Sequence, residues 1–395
     1  MQLPGQLSGV RVLDLTRVLS GPFCTALLGD LGAEVLKIEA LEGDSVRGQG
    51  AIKDGLSWYF AQFNRNKRAM CLDIRTPEGR DILTRLIRQS DVLVENFRPG
   101  VLARLGFSNE ILHELRPSLV VCAINGFGSD GPYKNRPAFD FIAQAMSGFM
   151  SVNGTQEGEP LRSGLPISDL VAGLYAALAI TASVLRARDT GQGDIVEVSL
   201  TNGMVSLLAY IATNYFATGV TPPRSGNDHP IAAPYGLFVT RDGRIALAPS
   251  DDAFFARLMD ALDLSALKTD PLYATQTARV ANRERINAIV SGKLALRDTA
   301  HWVATLNAAG VPSGPVHSVP EVFADPQIQA QNMVLEVDHP GHGLVRLLGF
   351  PMKFSQAPNS VRLPAPELGQ HTDDVLTELG FTAEQRQSLR ARKIV

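Results

Sequence analysis

Six runs rich in Val, Ile and Leu punctuate the first half of the chain: VRVLDL (10–15), EVLKIE (34–39), RAMCLDI (68–74), DVLVENF (91–97), SLVVCAIN (118–125) and DIVEVSL (194–200). Each is short, and together they read as strands buried in a parallel sheet. Helical patterns separate them. One helix start is well signed, with Thr76 as N-cap, Pro77 at the first helical position and Glu78 in the first turn of the segment that runs on through GRDILTRLIRQ. Strand and helix alternate for about 200 residues, which predicts a doubly wound α/β sheet whose ligands sit beyond the carboxyl ends of its strands.

The pattern then changes. A helical segment, NGMVSLLAYIATNYFATG, leads into TPPRSGNDHPIAAPYG (221–236), whose Pro and Gly content marks a domain boundary. A hairpin follows in LFVTRDGRIALA, turning at Asp242-Gly243, with helices in DDAFFARLMDAL and TAHWVATLNAAG; together they predict a smaller α+β domain. MVLEVDHPGHGLVRLLGF reads as a second hairpin, and HTDDVLTELGFTAEQRQSLRARK as two helices that return to the first domain. The expected divisions are 1–222 for the large domain, 223–329 for the small one and 330–395 for the returning segment. There is no internal repeat.

Composition narrows the function classes. At 395 residues, 45% apolar and 19% charged, the chain is globular and long enough for two cores, and a net charge of −3 gives no basic footprint for nucleic acid. Cys24, Cys71 and Cys122 are odd in number and widely spaced, which predicts neither a disulfide framework nor a zinc site and fits a reducing cytoplasm. The opening MQLPGQLSGVRVLDL lacks the regions of a signal peptide, and no run reaches 18 apolar residues. A cytoplasmic protein that does not span a membrane is expected.

Few familiar motifs survive inspection. Gly126, Gly128 and Gly131 satisfy G-x-G-x-x-G after a strand, but Pro132 and PYKNRPAF follow where a helix should open around a pyrophosphate. There is no phosphate loop, no G-x-S-x-G elbow and no H-E-x-x-H. The histidines are scattered, and HPGH, with His339 and His342, reads as a turn rather than a metal site. Two basic stretches border strands: Arg65, Lys67 and Arg68 in FNRNKRAMCLDI, and Asn96, Phe97, Arg98 and Arg104 in ENFRPGVLARLGF. They are either solvated faces or a cradle for phosphates, with Phe97 available to stack on a base. In SGLPISDLVAGLYAALAI, Asp169 is the sole charge between Leu165 and Leu178. Ser168 or Asp169 can cap the helix that starts there, and the same address suits a catalytic carboxylate.

Taken together, these stretches resemble the family III CoA-transferases over nearly the whole chain. The resemblance is carried by LSGVRVLDLTRVLSGPFCTALLGDLGAEVLKIE, NRNKR, LDIRTPEGR, DVLVENFRPGVLARLGF, GFGSDGPY, SDLVAG, TGQGDIVEVSL and LGQHTDDVLTELG. It implies a Rossmann-like large domain built from both ends of the chain, a smaller domain, and an interlocked homodimer. It implies Asp169 as nucleophile, forming first a mixed anhydride with the acyl group of a donor acyl-CoA and then an aspartyl-CoA thioester. A carboxylate with an ordinary pKa near 3.9 is ionised at neutral pH and needs no partner base, and N–H groups of a helix N-terminus are suited to the developing charge.

By the same resemblance CoA contacts fall on Arg17, Ser20, Leu72, Asp73, Ile74, Arg75, Asn96, Phe97, Arg98 and Arg104, with CoA as substrate and no metal or other cofactor. Arg17, Leu19 and Ala40 depart from the formyl-CoA branch, whose Gly-rich active-site loop is not evident near Gly226. EPLRSGLPISDL and RSGNDHPIAAPYG resemble the branch that moves CoA from succinyl-CoA to dicarboxylates, with Arg162 as the candidate partner of the second carboxylate. The expected partners are thus an acyl-CoA, a small carboxylic acid and a second copy of the chain. The racemases of the same superfamily need a His and Asp pair, and no His lies between His113 and His229. An inactive CoA-binding protein is the non-enzymatic alternative.

Overall fold

The computed structural model describes residues 5–395. The chain divides into two compact units: Met1–Phe149, Arg162–Phe216 and Gln329–Val395 form the first, and Met150–Leu161 with Ala217–Ile328 form the second. Residues 150–161, assigned to the large domain from the sequence, belong to the second unit. The reason is local: Gly226 N–H donates to Gly154 O at 2.9 Å, and the Arg224 guanidinium donates to the carbonyls of Thr155, Gln156 and Gly158.

The first unit is built on a six-stranded sheet of β1 (Arg11–Asp14), β2 (Glu34–Glu39), β3 (Lys67–Cys71), β4 (Val92–Glu95), β5 (Val120–Asn125) and β6 (Asp194–Ser199). Their order is β3-β2-β1-β4-β5-β6, with every neighbouring pair parallel. Alternation along each strand feeds two cores. Val12, Val92, Val94, Val120 and Cys122 face one way, onto α1 (Ser20–Asp30) and the long helix at 167–190. Leu13, Met70, Leu93 and Val121 face the other, onto α2 (Pro77–Arg88) and the C-terminal helices Thr372–Glu378 and Ala383–Ala391. Helix α2 begins as the sequence predicts, with the Thr76 hydroxyl accepting from Gly79 N–H at 3.0 Å.

Strand order reverses between β1 and β4. Chains leaving these two strands therefore diverge over the carboxyl edge of the sheet and leave a crevice between them. Two further helices reach that crevice at their starts: α3 (Asp140–Met146), through Phe139 just before it, and α4 (Ile167–Thr190), through Asp169. Among the described helices, α4 alone is long and apolar enough to cross a membrane by composition. Its inner face, however, is Ala172, Ala176, Ile180 and Val184, packed in the same core as the sheet, while Leu174, Leu178 and Leu185 face outward and are exposed.

The expected helix across 202–219 is two helices, Leu200–Ser206 and Ala209–Thr218, because the backbone turns at Ala209, whose φ is 45°. The second unit holds β7 (Gly236–Val239), β8 (Arg244–Leu247) and β9 (Ser313–Pro315) in one antiparallel sheet, with β7 and β8 joined across Asp242-Gly243. Phe238, Ile245, Leu247, Phe255, Leu258 and Trp302 fill its own core. In the first unit the second hairpin is β10 (Val334–His339) and β11 (Gly343–Leu348), turning through His339-Pro340-Gly341-His342.

Candidate active site

The loop that leaves β1 is built on buried charge. Asp14, fully buried at the strand's end, accepts from Thr16 N–H and hydroxyl, from the Thr25 hydroxyl at 2.6 Å and from Lys67 Nζ at 3.0 Å. Lys37 Nζ, also fully buried, reaches Thr16 O at 2.8 Å and Asp44 at 3.1 Å. Asp44 in turn accepts the N–H of Val18. Val18 sits at φ 68°, a left-handed conformation costly for a β-branched residue, and it persists because these bonds fix the chain on either side. The result is a rigid turn, Thr16 to Ser20, that places the N-terminus of α1 at the carboxyl edge of the sheet. Burial lowers the Lys67 pKa to about 8, the largest effect, against the neighbouring Asp14, which raises it.

Two cavities adjoin this turn. The larger, about 410 Å³, is mostly apolar, lined by Leu15, Ile38, Ala40, Leu41, Leu72 to Arg75, Phe97, Val101 and Leu105 among others. The smaller, about 180 Å³, is lined by Arg17 to Ser20, Asn96 to Pro99, Ile124 to Gly126, Lys134, Arg136 to Phe139, Asp169 and Leu200. Arg17 and Phe97 belong to both walls. The β1 and β4 loops are stitched together between the cavities, since Arg17 N–H donates to Asn96 Oδ1 at 2.9 Å and Asn96 Nδ2 donates back to Arg17 O at 2.7 Å.

Asp169 is the one acid of the smaller cavity, which carries four cationic side chains, Arg17, Arg98, Lys134 and Arg136. It lies in the first turn of α4, half-buried, with the Ser20 hydroxyl close enough to favour its ionised form. Burial pushes its pKa up to about 7, the nearby Asp140 carboxylate adds to the rise, and the Ser20 hydroxyl works against both. The free side chain is therefore only partly ionised at neutrality, and the expectation of a carboxylate with an ordinary pKa is corrected. Tyr59 responds in kind: burial first, and then Asp169, raise its phenol to about 12.

Neither Ser168 nor Asp169 caps α4. Asp140 does, accepting both the N–H and the hydroxyl of Ser168 at 3.0 and 2.9 Å, which releases Asp169 from that duty. The N–H groups of Ile167 and Leu170 are also taken, by Leu165 O and Pro166 O, so these amides of the α4 terminus are not open to a developing oxyanion as the sequence suggested. The N-terminus of α1 is better disposed, with Leu19 and Ser20 in the wall and no acidic residue in its first turn.

Close packing sets Ser20 against Asp169. A Cβ added at Gly173, one turn along α4, would come within 2.8 Å of both Ser20 O and the Phe23 ring, and one at Gly21 within 2.3 Å of Thr16 Cβ. Gly173 of SDLVAG is what allows α1 and α4 to touch, and Gly21 of LSGP lets the start of α1 close on Thr16.

The residues expected at the site separate into three groups. Arg17, Ser20, Asn96, Phe97, Arg98 and Asp169 line the smaller cavity, and Leu72, Asp73, Ile74 and Arg75 the larger. Arg104 ends the short helix Val101–Arg104 and lies outside both linings, although its neighbours Val101 and Leu105 are in one. Arg162 is also outside: its Nε donates to Ser163 O at 3.0 Å in a tight turn, and its guanidinium lies 5.9 Å from the Phe141 ring centre.

The basic stretch at 65–68 is no phosphate cradle. It enters β3 at the amino edge, opposite the cavities, and all three charges are consumed internally: Arg65 by Asp30 at 2.7 Å, Lys67 by Asp14, and Arg68 by Glu378 at 2.7 Å. Lys134 and Arg136 were missed, since nothing in PYKNRPAF distinguishes them from a solvated loop until the fold brings them to Asp169. Cys24, Cys71 and Cys122 are free and buried.

CoA-transferase family III matches residues 7–372. The chain is 38% identical to the succinate–glutarate CoA-transferase of Agrobacterium fabrum over 94% of its length and 95% of that protein, and 38% identical to the human succinyl-CoA:glutarate CoA-transferase over 94% and 86%. Its fold superposes on the crystal structure of a CaiB/BaiF family protein from Brucella suis with a TM-score of 0.84, at 37% identity and 95% and 100% coverage. A Mycobacterium tuberculosis protein gives 0.85 at 27% identity, covering 95% of this chain and 100% of that one. The chain belongs to CoA-transferase family III and is a CoA-transferase.

Proposed function

We propose that the enzyme moves CoA from succinyl-CoA to a second dicarboxylate through covalent chemistry at Asp169. The observation that carries this reading is a single acid, Asp169, set among four cations in a cavity that shares a wall with an apolar slot. The slot, with Phe97 as its aromatic wall, takes the adenine end of CoA; the cations hold phosphates and substrate carboxylates. The large unit is then a Rossmann-like, doubly wound domain that uses its switch point in the usual manner. We retain Arg17, Ser20, Leu72 to Arg75 and Asn96 to Arg98 as CoA contacts, and Arg104 as one that has to turn inward to serve.

In the reaction, ionised Asp169 attacks the thioester carbonyl and expels CoA thiolate, leaving a mixed anhydride. The thiolate attacks the aspartyl carbonyl, expels succinate and forms an enzyme-CoA thioester. The acceptor carboxylate attacks that thioester, giving a new mixed anhydride and thiolate, and the thiolate takes the acyl group and restores Asp169. No proton is gained or lost over the cycle. No histidine lines either cavity, which disfavours racemisation, a reaction that needs a base on each face of a carbon acid. The dicarboxylate preference rests on the relatives named for glutarate and on that for D-citramalate from Chloroflexus aurantiacus, 33% identical. We assign the second carboxylate to Arg136 and Lys134 rather than to Arg162, since they line the cavity with Asp169 and Arg162 does not.

The outer face of α4 is apolar, and Phe139 and Phe216 of the same unit are 72% and 76% exposed. Apolar surface of that extent wants a cover, and we assign it to a second copy of the chain, as in an interlocked homodimer. A cytoplasmic location suits its buried, unpaired thiols. The test is to mix the purified protein with succinyl-CoA and a panel of dicarboxylates and to follow new CoA esters by mass spectrometry, with Asp169→Ala as control. Hydroxylamine should trap a hydroxamate at Asp169. Turnover by the alanine variant, or esters formed from acetate but from no dicarboxylate, would overturn the assignment.

A further inference from the structure

The turn between β10 and β11 holds an arrangement that CoA transfer does not use. His339, the last residue of β10, is 3% exposed, and neither of its ring nitrogens has a hydrogen-bond partner. An imidazole buried in that state forfeits its hydration without return. His342, across the turn, has its ring centre 5.0 Å from that of His339, the two planes at 75°. Its Nδ1 lies 2.6 Å from Asp54 O, and since a carbonyl can only accept, the proton is on Nδ1. Its Nε2 lies 2.8 Å from Glu367 Oε1, an ion pair whose Nε2 proton a metal ion would displace to solvent. One ligand atom from each of His339, His342 and Glu367 falls within 4.8 Å of the other two.

A surface ion pair accounts for His342 and Glu367 but leaves His339 unexplained. We propose that these three side chains bind one divalent transition-metal ion, Zn2+ by the chemistry of the set. Two imidazole nitrogens and a carboxylate are a common zinc donor set, with water completing a tetrahedron, whereas Mg2+ and Ca2+ prefer oxygen alone. The Nδ1–H bond to Asp54 O is the outer contact that orients a ligating imidazole and presents Nε2 to the metal. The turn makes the geometry possible: Gly341 and Gly343 adopt φ of 82° and 73°, and His342 N–H donates to His339 O at 2.9 Å, so both rings project to one side.

None of the three residues lines either substrate cavity, so the ion is structural. It joins the hairpin turn and the loop at Asp54 to the tail at Glu367. Four residues on, His371 exchanges hydrogen bonds with the backbone of Ala69 in β3, at 2.9 and 3.1 Å.

The test uses the full-length protein without a polyhistidine tag, stripped with EDTA, reloaded with Zn2+ and dialysed. Mass spectrometric metal analysis should find one zinc per chain, Co2+ in its place should give visible d–d absorption, and Zn2+ should raise the melting temperature of the stripped protein. His342→Ala, at a partly buried position, and Glu367→Gln, at an exposed one, should each weaken Zn2+ binding at least tenfold and abolish the rise in melting temperature. These variants carry the decision because His339→Phe is at risk of misfolding. Substoichiometric zinc in the reloaded wild type, or equal binding by the wild type and both variants, would overturn the proposal.

Discussion

Asp140 grips the helix that carries Asp169 and, from the same position, makes Asp169 harder to ionise. Its Oδ1 accepts the N–H and hydroxyl of Ser168 at 3.0 and 2.9 Å, and its charge stands close enough to raise the Asp169 pKa beyond what burial alone does. One side chain thus holds the helix start and adds to the rise in the Asp169 pKa.

That coupling can be separated by Asp140→Asn, which keeps an acceptor oxygen for Ser168 and removes the charge. The wild-type kcat/KM for succinyl-CoA should rise as pH increases through about 7, because on the proposed mechanism only ionised Asp169 attacks. In the variant the midpoint should move to lower pH. Glu95, also raised to about 7, chiefly by burial, is left in place by this substitution, so an unmoved midpoint would transfer the profile to Glu95.

The same carboxyl has a cost in stability, with a definite sign. Its pKa is about 7 when folded against an ordinary 3.8, so between these values the folded state binds more protons than the unfolded one, and stability falls as pH rises through the window. Asp169→Asn has no proton to lose. Its melting temperature should match the wild type near pH 4 and exceed it at pH 8; a constant difference at both would show that Asp169 titrates normally.

Gly173→Ala should destabilise the protein by about 1–3 kcal/mol, the usual range for forcing a methyl into a packed interface. The methyl would meet Ser20 O and Phe23, which pushes α1 away and draws the Ser20 hydroxyl from Asp169. kcat should therefore fall more than KM rises. A variant with wild-type melting and turnover would mean that the two helices part without consequence.

Phe97→Ala should raise KM for succinyl-CoA more than it lowers kcat, since a ring in the wall of the larger cavity binds ground and transition states alike. An unchanged KM removes that cavity from CoA binding.

Arg136→Met should lower kcat/KM for glutarate far more than for acetate, by roughly 30-fold if a charge-assisted contact of about 2 kcal/mol is lost, while Arg162→Met should affect both acceptors little. Arg136 also sits 3.7 Å over the Tyr133 ring, and an equal loss for both acceptors would give it a structural role there.

Much of this was legible in the sequence, for reasons specific to each element. The sheet was, because strands buried on both faces are written as short runs rich in Val, Ile and Leu: SLVVCAIN became β5 over all but its first two residues. Asp169 stood out as a charge in an apolar helix, but its pKa did not, because Asp140 and the burial that raise it come from a separate helix and from packing. Arg65, Lys67 and Arg68 looked like Arg98 because composition does not say which edge of a parallel sheet a loop occupies. Lys134 and Arg136 lacked a signal of their own. The break at Ala209 was hidden because the apolar pattern continues through it.

The shared wall formed by Arg17 and Phe97 has a kinetic consequence. A molecule that fills both cavities is leashed: while its nucleotide end stays seated, its thiol end cannot stray far from Asp169, and its local concentration there is on the order of millimolar or higher whatever its concentration in bulk. On the proposed mechanism, the thiolate released in each half-cycle is then recaptured faster than it escapes. Isotopically labelled free CoA added to a working enzyme should enter the product slowly, and loosening the Arg17–Asn96 stitch should let it in.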